Sequence, residues 1–282
     1  MSDSANHYYV PPNSRWPVLS AAAAFLAVCG FILMFNELPG GIPVFAAGLL
    51  LLFGTMFGWW RDVAAESERG DYRAWEDRSF RWGMGWFIFS EVMFFAGFFG
   101  ALFYARTLAV PDLGGAHSKI IWPEFDAIWP TAGPHYDGEF STIPAFGVPL
   151  ANTLVLLASG VTITWAHWAL KINDRRQLAA GLAITVLLGM FFLFLQAEEY
   201  IHAYDDLNLR LDTGIYGSTF FMLTGFHGLH VTIGTICLVV ILLRCLAGHF
   251  KPEHHFGFEA VAWYWHFVDV VWLFLFVVVY WL

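Results

Sequence analysis

Seven apolar runs, each bounded by charged or turn-forming positions, recur along the chain: approximately Trp16 to Asn36, Ile42 to Trp60, Trp82 to Ala105, Ile143 to Leu170, Leu178 to Tyr200, Tyr216 to Leu243 and Ala260 to Leu282. Each has the roughly 20 residues that an α-helix needs to cross the hydrocarbon of a bilayer. The runs are too continuous for the apolar–polar alternation of a barrel strand. A helix also satisfies its own backbone polar groups where no water can. The pattern therefore predicts an all-α membrane protein with seven transmembrane helices.

The connections are unequal. A short turn, Glu37 to Gly41, makes the first two helices a hairpin, and a charged stretch from Arg61 to Arg81 follows it. The expected division is an N-terminal tail with a two-helix bundle over residues 1–66 and a five-helix bundle over 67–282. The second part includes a long outer loop, 107–142, rich in Pro, Gly and acids; a connection of that length outside the membrane is a structured or mobile cap. No internal repeat of the kind that builds many transporters is visible.

Composition agrees with lipid as the solvent: 58% of the 282 residues are hydrophobic and 13% charged, too few charges for the surface of a soluble domain. Eleven of the 14 Lys and Arg fall on one side of the seven-span pattern, leaving Arg106, Lys119 and Arg210 on the other. Basic loops stay inside, so the N-terminus is expected in the cytoplasm and the C-terminus outside. Many acids gather in the outer connections, among them Asp112, Glu124, Asp126, Asp137 and Glu139. Without a basic patch beyond the inner loops, nucleic acid is excluded as a partner. The opening stretch MSDSANHYYVPPNSRWP lacks the regions of a cleavable signal, so the first span is expected to act as its own insertion signal. Cys29, Cys237 and Cys245 are isolated and read as apolar fillers. Trp16, Trp59, Trp60, Trp82, Trp165, Trp168, Trp263 and Trp265 fall near inner helix ends and read as interfacial anchors. Gly54 and Gly58, four apart, allow a close helix approach.

Against this background the stretch FIFSEVMFFAGFF, residues 87–99, sets one carboxylate, Glu91, among six phenylalanines. Ionisable groups inside a span are costly and mark function or a specific partner. At about 1.5 Å per residue, Glu91 and Asp269 lie at similar depths, with His266 one turn nearer the inside and His227 and His230 around the middle of the sixth span. Three readings compete. In one, His227 and His230 belong to a metal or haem site; Glu199-x-x-His202 matches half of a di-iron motif, yet it lies at the outer end of its helix and no second copy exists. In another, Glu91 and Asp269 form part of a proton or ion pathway. In the third, the histidines are structural, bonded to neighbouring helices or backbone carbonyls in a packed, non-catalytic subunit.

The ordered stretches WWRDV from Trp59, SEVMFFAGFF from Ser90, NTLVLLASGVTITWAH from Asn152, YGSTFFMLTGFHGLHV from Tyr216 and HHFGFEAVAWYWHFVDVVWLFL from His254 resemble subunit III of the haem–copper cytochrome c oxidases over nearly the whole chain. The resemblance implies a two-helix and a five-helix bundle separated by a V-shaped cleft that holds phospholipid. It implies a non-catalytic accessory subunit of an aa3-type oxidase that reduces oxygen to water and pumps protons. Haem a and copper then belong to partner subunits I and II, with cytochrome c or another donor as an indirect partner and no metal in this chain. Glu91 matches the family's buried glutamate beside the cleft, associated with support of subunit I rather than with bond-making, and the resemblance implies that the subunit as a whole sustains proton uptake and turnover stability of subunit I. Trp59, Trp60, Arg61, Glu66 and Arg244 are the candidate lipid ligands. The long outer loop resembles bacterial members, which implies a bacterial inner membrane. The alternative is an independent proton-conducting or metal-binding membrane protein.

Overall fold

The computed structural model describes residues 13–136 and 138–282; the start of the N-terminal tail, with the stretch read for a signal, and Asp137 lie outside these. Eight α-helices follow in order: α1 (Trp16–Phe35), α2 (Gly41–Arg69), α3 (Ala74–Tyr104), the short α4 (Val110–Leu113), α5 (Val148–Lys171), α6 (Arg175–Asp205), α7 (Gly214–Leu246) and α8 (Phe256–Leu275). A π-helical turn joins α3 to α4, and another extends α8 to Trp281. Seven of these helices are long and apolar enough to cross a membrane. Among the described residues there is no strand, only an isolated bridge between Lys251 and His254.

Contacts divide the chain into one unit ending at Phe80 and a second running from Arg81 to Leu282. The charged stretch 61–81 is mostly helix. α2 continues through the expected boundary at 66/67 to Arg69, Gly70 ends it with φ 78°, and α3 begins at Ala74. Charged residues extend both helices because, once past the apolar stretch, their side chains reach water while the backbone goes on bonding to itself.

The first unit is built on a seam of small residues. α1 buries Ala23, Ala27 and Gly30, and α2 buries Gly41, Gly48, Thr55 and Gly58. Two water-excluded helices in lipid gain by close packing rather than by apolar burial. A Cβ on Gly30 would run into the backbone of Phe45, and one on Gly48 into that of Ala27. Gly58 makes room for the Trp16 ring, whose Nε1–H donates to Asp62 at 2.8 Å. Gly54 is different: a Cβ there meets nothing within 4 Å, so the Gly54–Gly58 pair is not a packing motif. The two helices turn at Gly40, whose φ of 86° suits a residue without Cβ.

In the second unit α8 is the most buried helix. Trp265 and Trp272, two turns apart on one face, are both fully enclosed and donate their indole N–H groups to Ser159 (2.8 Å) and Thr153 (2.9 Å) of α5. Gly189 on α6 and Gly234 on α7 leave the space that the Trp265 ring fills. Trp265 is thus a core residue and not the interfacial anchor its depth suggested. Trp60, Trp82 and Trp168 do expose their rings, as headgroup-level residues would. α5 and α6 pack through Gly181 against Ala166 and through a 2.8 Å bond between the hydroxyls of Thr162 and Thr185.

The segment between α4 and α5 is anchored. Thr131 and Ala132 carbonyls accept from the Tyr216 and Ile215 amides at the start of α7, both at 3.2 Å. Ser141 N–H donates to the Leu207 carbonyl (3.0 Å), and Asn208 to the Glu139 carbonyl (2.9 Å). Part of the fourth expected span, from Ile143 to Gly147, belongs to this segment, and α5 starts at Val148 with Pro149 in its first turn, where a missing N–H costs nothing.

Candidate functional site

Glu91 comes from α3 and His230 from α7, both from the middle of their helices. Their side chains meet with Glu91 Oε2 2.8 Å from His230 Nε2. The imidazole is fixed at its other nitrogen, where Nδ1 lies 2.6 Å from the Phe226 carbonyl one turn back on α7. A carbonyl only accepts, so Nδ1 carries a hydrogen. Nε2 then either accepts from a carboxyl O–H or donates to a carboxylate, and in both cases the pair holds one proton between them. Aromatic rings surround it: Phe95 and Phe94 lie 5.0 and 5.8 Å from the imidazole, and Phe226 packs at 5.1 Å on both Phe94 and Phe98. Of the phenylalanines that make Glu91 look misplaced in the sequence, Phe94 and Phe95 flank the imidazole it bonds, whereas Phe87 and Phe89 are exposed.

His227, one turn before His230, is fully buried. Its Nε2 lies 3.2 Å from the Val268 carbonyl of α8 and its ring 5.0 Å from that of Trp272. Asp269 is buried with Oδ2 3.7 Å from His266 Nδ1, and its carboxylate occupies the gap left by Gly160 on α5. His266 is half-exposed and reaches the Thr164 hydroxyl at 3.3 Å through Nε2. Glu91 is therefore engaged by α7, and Asp269 by α5 and its own helix.

The candidate lipid ligands stand as follows within their own units. In the first, Trp60 is exposed and Trp59 half-buried. The Arg61 guanidinium is mostly exposed, 3.9 Å from Asp62, and Glu66 accepts from the Tyr72 hydroxyl at 2.6 Å. In the second, Arg244 lays its guanidinium over the Phe250 ring at 4.6 Å.

Two clusters escaped sequence reasoning. Glu199 is buried and accepts from the Tyr280 hydroxyl at 2.6 Å and from Gln196 at 3.1 Å; its place near the C-terminal end of α6 concealed that the last turn of the chain folds over it. Arg81, His167, His255 and Glu259 converge where α3 and α8 begin and α5 ends. The i,i+4 spacing of His255 and Glu259 was the available signal, but His167 and Arg81 lie far away in the chain.

The model of the family described as cytochrome c oxidase subunit III matches residues 6–282. Proteins described as cytochrome c oxidase subunit 3 from Gadus morhua, Oncorhynchus mykiss and Danio rerio are each 45% identical over 272 residues, covering 96% of this chain and 95% of theirs. A match that runs through all seven long helices, and through both partners of the Glu91–His230 pair, makes this chain a member of the cytochrome c oxidase subunit III family.

Proposed function

We propose that this chain is the accessory subunit III that steadies the catalytic subunits of an aa3-type oxidase, carries no redox centre of its own, and uses Glu91 with His230 as a proton-holding joint between α3 and α7. The observation behind this reading is the engagement of three intramembrane ionisable side chains by the chain's own groups: Glu91 by His230, His227 by the Val268 carbonyl and His266 by Thr164. Such pairs hold helices together and keep charge out of lipid. Haem a and copper then reside in partner subunits I and II, which take electrons from cytochrome c or another donor. The basic inner loops support a cytoplasmic N-terminus and a periplasmic C-terminus, and the length of the outer segment supports a bacterial inner membrane.

Phospholipid is a further partner on this reading. Arg61 and Arg244 each offer a planar guanidinium suited to phosphate oxygens, and Trp59 and Trp60 suit the headgroup level; Glu66, occupied by Tyr72, shapes the local charge instead of binding phosphate.

Selective removal of this chain from purified oxidase tests the proposal. Haem and copper should stay with the remaining subunits, initial oxygen consumption should be near normal, and activity should decay sooner during sustained turnover. Loss of haem or copper with this chain, or decay kinetics unaltered by its removal, overturns it.

A further inference from the structure

Glu259, at the first turn of α8, has its two oxygens engaged on different sides. Oε2 faces Arg81 of α3 in a close ion pair. Oε1 faces two imidazoles: His255 Nε2 at 3.2 Å and His167 Nε2 at 3.6 Å. Both of these ring nitrogens are buried and neither has a hydrogen-bond partner.

The protonation of His255 is limited by geometry. Its Nδ1 lies 3.2 Å from the Lys251 carbonyl, which can only accept, so Nδ1 carries a hydrogen. In the neutral ring Nε2 is then a lone pair aimed at a carboxylate oxygen, with the second imidazole beside it. Lone pairs converge without repulsion only where a cation, a proton or a metal ion, sits between them. The three donor atoms lie within 4.8 Å of one another, and Zn²⁺ with bonds of about 2.0–2.1 Å draws tetrahedral ligands to about 3.3–3.4 Å. Side-chain rotation of about an ångström closes that difference.

We propose that His167, His255 and Glu259 form a binding site for a divalent d-block cation, with Zn²⁺ as its natural fit. Imidazole and carboxylate donors suit this class. The outer partners are those of a metal site: the Lys251 carbonyl fixes the His255 tautomer, and Arg81 orients the carboxylate. Three protein donors leave the fourth ligand to solvent, which makes the cation exchangeable rather than structural. The Arg81 charge repels the cation and weakens the site. His167 keeps 19% of its side chain exposed, which gives the ion a way in. The family resemblance implied no metal in this chain, and the cluster departs from that expectation.

The probe is Zn²⁺ itself, added to chelator-washed oxidase complex that contains this chain. Zinc-edge X-ray absorption should find two imidazoles and oxygen donors on one added equivalent. His167→Ala with His255→Ala should remove that equivalent, and Arg81→Gln, which keeps all three ligands and removes the neighbouring positive charge, should tighten binding. If the double variant fails to assemble, Arg81→Gln and the wild-type absorption spectrum still decide. A zinc spectrum without paired imidazoles, or a stoichiometry and affinity unchanged in an assembled variant, overturns the site.

Discussion

At Glu91 the identity of the partner atom matters more than charge. Because the Phe226 carbonyl fixes the hydrogen of His230 on Nδ1, a side-chain amide at position 91 can donate to Nε2, whereas a hydrocarbon leaves that nitrogen without a partner. Glu91→Gln should therefore keep the α3–α7 joint, and Glu91→Leu should weaken it by about 1–3 kcal/mol, the usual penalty for an orphaned buried polar atom. The thermal midpoint of assembled oxidase, followed by loss of this chain, reads the difference; equal midpoints for the two variants would contradict the assigned hydrogen bond. The isolation of Glu91 among phenylalanines was legible in the sequence, and so was the presence of His230 at a comparable depth. That the two touch was not, because contact depends on the rotation of α3 and α7 about their axes, and helices apolar on every face carry no stripe that fixes rotation. Trp265 was misread for the same reason: depth along a helix is a count of residues, whereas burial depends on the neighbouring helix.

Between helices, small residues set the distance. Gly48→Ala places a Cβ against the Ala27 backbone, which cannot yield as a flexible side chain would, and should cost about 1–3 kcal/mol of overpacking strain; Gly54→Ala, facing open space, should be neutral. Cross-linking of α1 to α2 through paired cysteines should fall in the first variant only. The start of α6 carries a different device. Asp174 accepts from the backbone amides of Arg176 and Gln177, both at 3.1 Å, and the Gln177 amide is the main cause holding its carboxyl below the ordinary value. A depressed carboxyl stabilises above its unfolded value and stops doing so as pH falls through the folded one. Hydrogen-exchange protection of the first turn of α6 should decline through that acid window, and Asp174→Ala should show the low-pH behaviour already at neutral pH. Helix number was readable from apolar run lengths; helix ends were not, since α2, α3 and α6 run past their apolar stretches on charged turns that still propagate the backbone ladder.

For the molecule as a whole, basic residues are the determinant of sidedness. Single cysteines in the Gly70–Arg73 turn and at Asn173 should react with an impermeant thiol reagent only from the cytoplasmic side, and cysteines between Ile120 and Ile128, which expose their side chains at both ends of that stretch, only from the opposite side. Reaction at position 173 from outside overturns the proposed orientation.

The bonds from Thr131 and Ala132 to the amides of Ile215 and Tyr216 join a segment made early by the ribosome to a helix made late. Until α7 has left the translocon, the part of the segment around Thr131 and Ala132 lacks these partners, the bonds to Leu207 and Asn208 holding only residues 139–141, and the first amides of α7 depend on it in turn for acceptors. Maturation thus has an order in time: insertion of α5, α6 and α7 first, latching of the segment last. Chains arrested before Gly214 should be cut by protease between residues 120 and 136, and chains extended past α7 should resist; equal cleavage of both would show that the latch is not what protects the segment.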